Sequence, residues 1–301
     1  MKSELFKRVA FAVVGIPVAM FLIVYGALPF LFAVIIISSI SLLEFYKLAK
    51  LKKTSPNVYL GVTFNVIITL YIYFALKNTE ALMCSGLIII GFILLFMLSS
   101  FIVELWLKKE NHLLNVSTTI SGILYACFPF YSLILIRELH KIKEFFTNNN
   151  INLPLFFNNT QKFENFSIYF VITIFLTIWI CDSAAYFLGK KFGKNKLYEA
   201  VSPKKTWEGA IAGFVFALIS SVLLFHFLIP YFPFIHSIAV GIIIGIFGQI
   251  GDLIESLIKR DAGVKDSSNL IPGHGGALDR LDSALFVFPF IYIYIILIMA
   301  L

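Results

Sequence analysis

The sequence predicts an all-α fold, a polytopic membrane helical bundle of about nine transmembrane helices. Of its 301 residues, 59% are hydrophobic and only 14% charged, and the mean hydropathy is +0.92. The apolar residues also fall in runs long enough to cross a bilayer core, which takes about 20 residues of helix. The ten-residue alternation of a membrane barrel is not seen, and a soluble globular chain is excluded. A net charge of +7 would suggest nucleic acid in a soluble protein. Here Lys and Arg sit between apolar runs, with no basic patch interleaved with aromatics, so no nucleic-acid partner is expected.

The first run, about 9 to 26, follows the basic start MKSELFKR and resembles a signal peptide. No clear cleavage site follows and further spans do, so it reads as the first transmembrane helix. The second, about 28 to 46, follows through Gly26, Ala27 and Pro29, too tightly for a domain between them. The others are about 58 to 76, 81 to 103, 116 to 136, 167 to 188, 208 to 229, 235 to 258 and 281 to 301. Cys84, Cys127 and Cys181 fall inside these runs without framework spacing and are expected to be small core residues. The segment from Glu138 to Asn165 is expected to be an outside loop; it is rich in Asn, Phe and Lys and reads as compositional bias, not a domain.

With the N-terminus cytoplasmic, 19 of the 24 basic residues fall inside. That asymmetry favours the N-terminus in and the C-terminus out. Both long charged loops, 189 to 207 and 259 to 280, are then cytoplasmic.

The polar residues gather in two places. From Gly248 to Ser283 the chain carries Asp252, Glu255, Ser256, Lys259, Arg260, Lys265, Asp266, His274, Asp279, Arg280 and Asp282. Ionisable groups at or near a span are costly and mark function by default. Asp252, Ser256 and Lys259 stand at i, i+4 and i+7, one face of the eighth helix. The glycine-rich PGHGG, Pro272 to Gly276, allows close approach of backbone N–H groups to a phosphate. Asp279 and Asp282 share a face of the ninth helix and can meet Asp252 from a neighbouring one. Several carboxylates beside phosphate binders suit a hard cation, for phosphate chemistry usually Mg²⁺. Zinc is disfavoured by lone Cys181 and lone His274.

The second cluster reads WICDSAAYFLG, Trp179 to Gly189, then KKFGKNKLYEAVSPKKTWEG. Asp182 lies within an apolar run, and Ala184 and Ala185 could mark close helix packing. Ser202, Lys204 and Lys205 offer a hydroxyl donor and point charges for a polyphosphate. Lys190, Lys191, Lys194 and Lys196 read instead as orienting charges.

The run from Ser256 through Lys265-Asp266 and PGHGG to Asp279-Arg280-Leu281-Asp282 resembles the signature of phosphatidate cytidylyltransferases, or CDP-diacylglycerol synthases. The upstream CDSAAYFLGKKFGK and SPKKTWEG resemble that family's other motifs, in order. Ala277 departs from the pattern, which usually carries a larger aliphatic there. The resemblance covers about Trp179 to Ser283. It implies transfer of CMP from CTP to phosphatidate, giving CDP-diacylglycerol and pyrophosphate, in a homodimeric membrane enzyme; the membrane expected is the cell (inner) membrane. It also implies Asp252 and Asp279 at a Mg²⁺ centre, with a second, monovalent cation such as K⁺.

The expected roles follow. Asp252, Lys259, Asp279 and Asp282 are catalytic, and Asp252, Asp279 and Asp282 hold the metal. Ser202, Lys204, Lys205, Ser256, Arg260, Lys265, Asp266, His274 and Arg280 bind substrate. Residues 1–166 form an N-terminal transmembrane part and residues 167–301 a catalytic transmembrane region with an active site facing the cytoplasm. Two other readings use the same residues: a CTP-dependent lipid kinase, which would transfer the γ-phosphate, and a cation-coupled transporter with Asp182 and Asp252 as intramembrane sites.

Overall fold

A computed structural model of the protein describes residues 2–107, 109–149, 153–154, 163–268, 270 and 275–300. Among them, eight helical segments are long and apolar enough to cross a membrane, and Val13–Tyr25 forms a shorter apolar helical stretch. The helices are α1 (Lys2–Tyr25), α2 (Ala27–Leu51), α3 (Val58–Ala75), α4 (Thr79–Trp106), α5 (His112–Arg137), α6 (Leu139–Asn148), α7 (Phe163–Phe192), α8 (Trp207–Leu228), α9 (Phe234–Asp261) and α10 (Leu278–Ala300). The polytopic helical bundle is thus as the apolar runs foretell. A short antiparallel hairpin, β1 (Lys196–Tyr198) and β2 (Ser202–Thr206), stands between α7 and α8.

Two compact units divide the chain, Met1–Leu135 with Ile258–Arg280, and Ile136–Leu257 with Leu281–Leu301. In the first, α1 and α2 are joined by Gly26 alone, whose φ of 65° falls in the region that glycine adopts freely. Polar side chains buried in such a bundle must find partners within it. The Tyr46 hydroxyl of α2 donates to the Thr119 carbonyl of α5 at 2.8 Å. The Asn65 amide of α3 donates to Ser38 and Ser39 at 2.9 and 3.0 Å and accepts from the Tyr131 hydroxyl at 3.0 Å. These contacts tie α2, α3 and α5 together by hydrogen bonds as well as by packing. Asn57 caps α3 by accepting the Leu60 N–H at 3.0 Å.

In the second unit, Phe166 and Phe170 of α7 stack with centroids 5.2 Å apart, and Phe225 of α8 stacks on Phe232 at 4.6 Å. Farther along, α7 and α8 close on a seam of small residues. A Cβ at Gly209 would lie 2.7 Å from the Ala185 carbonyl and 2.9 Å from the Gly189 Cα, so only glycine admits this approach. The Ala185 expected to mark close packing stands on that seam. A wide π turn, Ile244–Gly248, interrupts α9 just before Gln249; such turns re-aim the residues that follow.

Two expectations change. The segment after Glu138 opens with α6, because Leu139 and Ile142 recur at helical spacing and are both buried. Cys127 and Cys181 are core residues as expected, but Cys84 is exposed. It stands on the helix stretch Cys84–Trp106, of whose apolar window only 11% is buried, so it faces outward from the protein.

Candidate active site

The second unit holds a cavity of about 700 Å³, within the range of about 300–1,000 Å³ usual for small-molecule sites. Its wall is built by the hairpin. Asn195, just past α7, donates through its backbone N–H and its amide to the Glu208 carboxylate at 3.2 and 2.9 Å. Its carbonyl accepts the Trp207 N–H at 3.0 Å. Thr206 then caps α8, accepting the Gly209 N–H at 3.2 Å. These bonds fix both ends of the loop, in which Lys204 is exposed and Lys205 half-buried.

Ser202, Lys204 and Lys205 line one side of the cavity, and Asp182 and Asp252 also line it. Lys205 Nζ lies 2.5 Å from Asp252 Oδ2. The Gln249 amide, one turn before Asp252, donates to the Ala210 and Gly245 carbonyls at 3.0 and 2.6 Å and anchors α9 against α8. Ser283 donates to the Asp182 carboxylate at 3.4 Å. Asp282 accepts the Ser283 N–H at 2.8 Å. A Cβ at Gly251 would come 2.5 Å from the Asp282 carbonyl, so the backbone beside Asp252 packs against that of Asp282. The charges of Asp182, Asp252 and Asp282 repel one another, and Lys205 opposes that repulsion.

The first unit presents a different cluster. Asp279 is nearly buried, and its Oδ1 accepts from Lys259 Nζ at 2.6 Å. Its Oδ2 accepts the Ser267 N–H at 2.9 Å, the Ser267 hydroxyl at 2.8 Å and the Gly276 N–H at 2.7 Å. The loop that carries Ser267 leaves α9 through Gly263, whose φ of 73° terminates the helix while the Val264 N–H bonds back to the Lys259 carbonyl at 3.0 Å.

Of the residues expected to bind substrate, Ser202, Lys204 and Lys205 stand on the cavity. Ser256 is half-buried on α9, while Arg260, Lys265, Asp266 and Arg280 are exposed. His274 lies outside the described residues. Lys190 and Lys196, read from sequence as orienting charges, also line the cavity, because the hairpin folds Lys196 back so that its Nζ donates to the Pro203 carbonyl at 2.6 Å. Two further acids matter. Sequence reasoning gives Asp182 no role in nucleotidyl transfer and gives Glu44 of α2 none at all. The signal for Glu44 was an isolated acid within an apolar run.

Among the described residues, no group of three or more His, Cys, Asp and Glu side chains stands arranged to hold a metal ion. The carboxylates on the cavity are Asp182 and Asp252, and magnesium is commonly held by one or two carboxylates with phosphate oxygens and waters completing its shell. Asp252 and its neighbour Asp282 fit that chemistry.

A multi-pass helical membrane protein whose cavity joins lysines to carboxylates is the class that fold and site define. The chain belongs to the cytidylyltransferase family, whose sequence model matches residues 6–298. Among its relatives, the phosphatidate cytidylyltransferase of Bacillus subtilis (strain 168) is 29% identical over 286 residues, 95% of this chain and 96% of the relative. That of Synechocystis sp. (strain PCC 6803) is 32% identical over 300 residues, 97% of each chain. That of Staphylococcus aureus (strain COL) is 43% identical over 129 residues, 43% of this chain and 50% of the relative.

Proposed function

We propose that the protein is a nucleotidyltransferase that moves CMP from CTP to phosphatidate, giving CDP-diacylglycerol and pyrophosphate for phospholipid synthesis. The observation that carries this reading is the 700 Å³ cavity lined by Ser202, Lys204 and Lys205 together with Asp182 and Asp252. Two lysines and a hydroxyl suit a polyphosphate, and the adjacent helices suit a substrate whose tails stay in lipid. Membership of the cytidylyltransferase family along nearly the whole chain supports CTP as the nucleotide.

The nucleophile is a phosphate monoester oxygen of phosphatidate. Its second pKa is about 6, so it is largely ionised at neutral pH and needs no strong base. That oxygen attacks the α-phosphorus of CTP, the bond to the β-phosphate oxygen breaks, and pyrophosphate leaves. Catalysis then rests on positioning and charge neutralisation. Lys205 and Lys204 neutralise charge on the triphosphate and on the leaving pyrophosphate, and Ser202 donates a hydrogen bond. Asp252 keeps Lys205 in place until substrate competes for it. Lys259 and Asp279 form a buried ion pair in the first unit, and Ser256, Arg260, Lys265, Asp266, His274 and Arg280 remain assigned to substrate by the family motif.

Asp252 and Asp282 are the oxygen donors assigned to Mg²⁺, and Asp279 stays a candidate for the same role, tested below by substitution. When bound, the ion would neutralise phosphate charge beyond what the lysines reach. A monovalent cation such as K⁺ is the second ion to test. We place the N-terminus and the cavity on the cytoplasmic side of the cell membrane, in a homodimer. The test of the activity is purified protein with phosphatidate, Mg²⁺ and each nucleoside triphosphate in turn. Pyrophosphate should appear with CTP and depend on phosphatidate. Equal release with every nucleotide, or none with CTP, would overturn the reading.

A further inference from the structure

Glu44 lies within the span Ala27–Leu51 and is only 5% exposed. Burying a carboxylate in such a place is costly unless it is fully hydrogen-bonded. Its Oε1 accepts the Ser268 hydroxyl at 2.6 Å and the Ala277 N–H at 3.1 Å. Its Oε2 accepts the Leu278 N–H at 2.9 Å and the Ser267 hydroxyl at 3.1 Å. Two of these donors are backbone N–H groups at the start of α10, which lack partners within a helix and favour a nearby negative charge. Glu44 therefore caps α10 from a helix more than two hundred residues away in the chain.

The turn it caps is the one that carries Asp279. Ser267 joins the two acids: its single hydroxyl proton faces Asp279 Oδ2 at 2.8 Å and Glu44 Oε2 at 3.1 Å. Gly276 closes the arrangement, since a Cβ there would overlap the Ser267 hydroxyl and both Glu44 oxygens. A residue placed only to stabilise a helix end would not need to share a donor with an acid paired to Lys259.

We infer that Glu44 is a positioning residue for the transfer reaction: its carboxylate holds Ser267, Ser268 and the first turn of α10 in the register that presents Asp279 to Lys259. The inference rests on the activity proposed above and gives the second transmembrane helix a part in catalysis. Glu44→Gln keeps the size of the side chain but turns one acceptor oxygen into an NH₂ donor facing two donors. In the full-length protein in detergent it should lower kcat about tenfold or more, the scale of a lost charge-assisted hydrogen bond, with KM for CTP within about twofold because the phosphate contacts of the hairpin are untouched. Amide exchange at Gly276 to Asp279 should speed up about tenfold on the same grounds, with exchange in the hairpin unchanged. Ser268→Ala, which removes one donor to Oε1, should move both readouts the same way by a smaller factor.

A wild-type kcat in Glu44→Gln would overturn the inference, as would a kcat loss with no faster exchange at Gly276 to Asp279, or a loss expressed wholly in KM. If Glu44→Gln exchanges fast throughout, it is unfolded, and Ser268→Ala decides: unchanged kcat and exchange there reject the role. A wild-type protein that does not turn over CTP with phosphatidate rejects the activity instead, and the exchange data still show whether Glu44 holds the turn.

Discussion

Lys205→Met separates a catalytic lysine from a structural one. Lys205 Nζ and Asp252 Oδ2 are 2.5 Å apart, but the two side chains keep 26% and 32% of their exposure. Solvent screens a pair that open, so its loss should cost the fold no more than about 1 kcal/mol, a melting shift of about 2–4 °C at most. The effect on turnover should be far larger. Removing one positioned electrostatic contact from a sheltered site typically costs about 10²–10³ in kcat, or about 2.7–4 kcal/mol. The assay is the initial rate of CDP-diacylglycerol formation from CTP and phosphatidate in mixed micelles, run beside a thermal melt. Lys205→Arg keeps the charge and should recover part of the loss, though a guanidinium does not replace an ammonium atom for atom. A rate for Lys205→Met within about threefold of wild type, less than 1 kcal/mol of barrier, would refute the role. So would a melting fall large enough to explain the loss by unfolding.

Asp252→Asn should abolish CTP-dependent turnover with the melting temperature nearly kept, because its ion pair is part-exposed; near wild-type activity would remove it from the metal assignment. Asp279→Asn should also abolish turnover. It should in addition destabilise the protein by about 3–5 kcal/mol, the usual cost of breaking a buried ion pair from one side, because Lys259 and Asp279 are 11% and 5% exposed. A denaturation curve that overlays the wild type would contradict this. Gly209→Ala should cost about 1–3 kcal/mol and reduce CTP binding, since the new methyl meets backbone on two sides of the α7–α8 seam; unchanged stability and binding would show that the seam yields.

The helices were legible because a bilayer makes their code simple. The run expected at about 116 to 136 is the helix His112–Arg137, and that expected at about 235 to 258 is Phe234–Asp261, each longer by a few residues at its ends, with His112, Asn115, Arg137, Lys259, Arg260 and Asp261 too polar to count in an apolar run. The cavity residues Ser202, Lys204, Lys205 and Asp252 were legible from residue chemistry beside spans. Asp182 was legible as an oddity, yet its place on the cavity wall follows from the α7–α8 seam, a tertiary feature. The place of Lys196 on the cavity wall follows from the hairpin, which local charge patterning does not announce. Glu44 shows in the sequence only as an isolated acid within an apolar run; its partners lie 223 to 234 positions away, so no local spacing announces them.

The most direct test is to give purified protein, with phosphatidate and Mg²⁺, CTP labelled at either the α- or the γ-phosphate and to follow the label. The cytidylyltransferase reading predicts that the α-label enters the lipid and the γ-label leaves as pyrophosphate. A lipid carrying the γ-label would make the protein a kinase, and proteoliposomes that move a cation with no CTP consumed would make it a transporter; either result contradicts the proposed function.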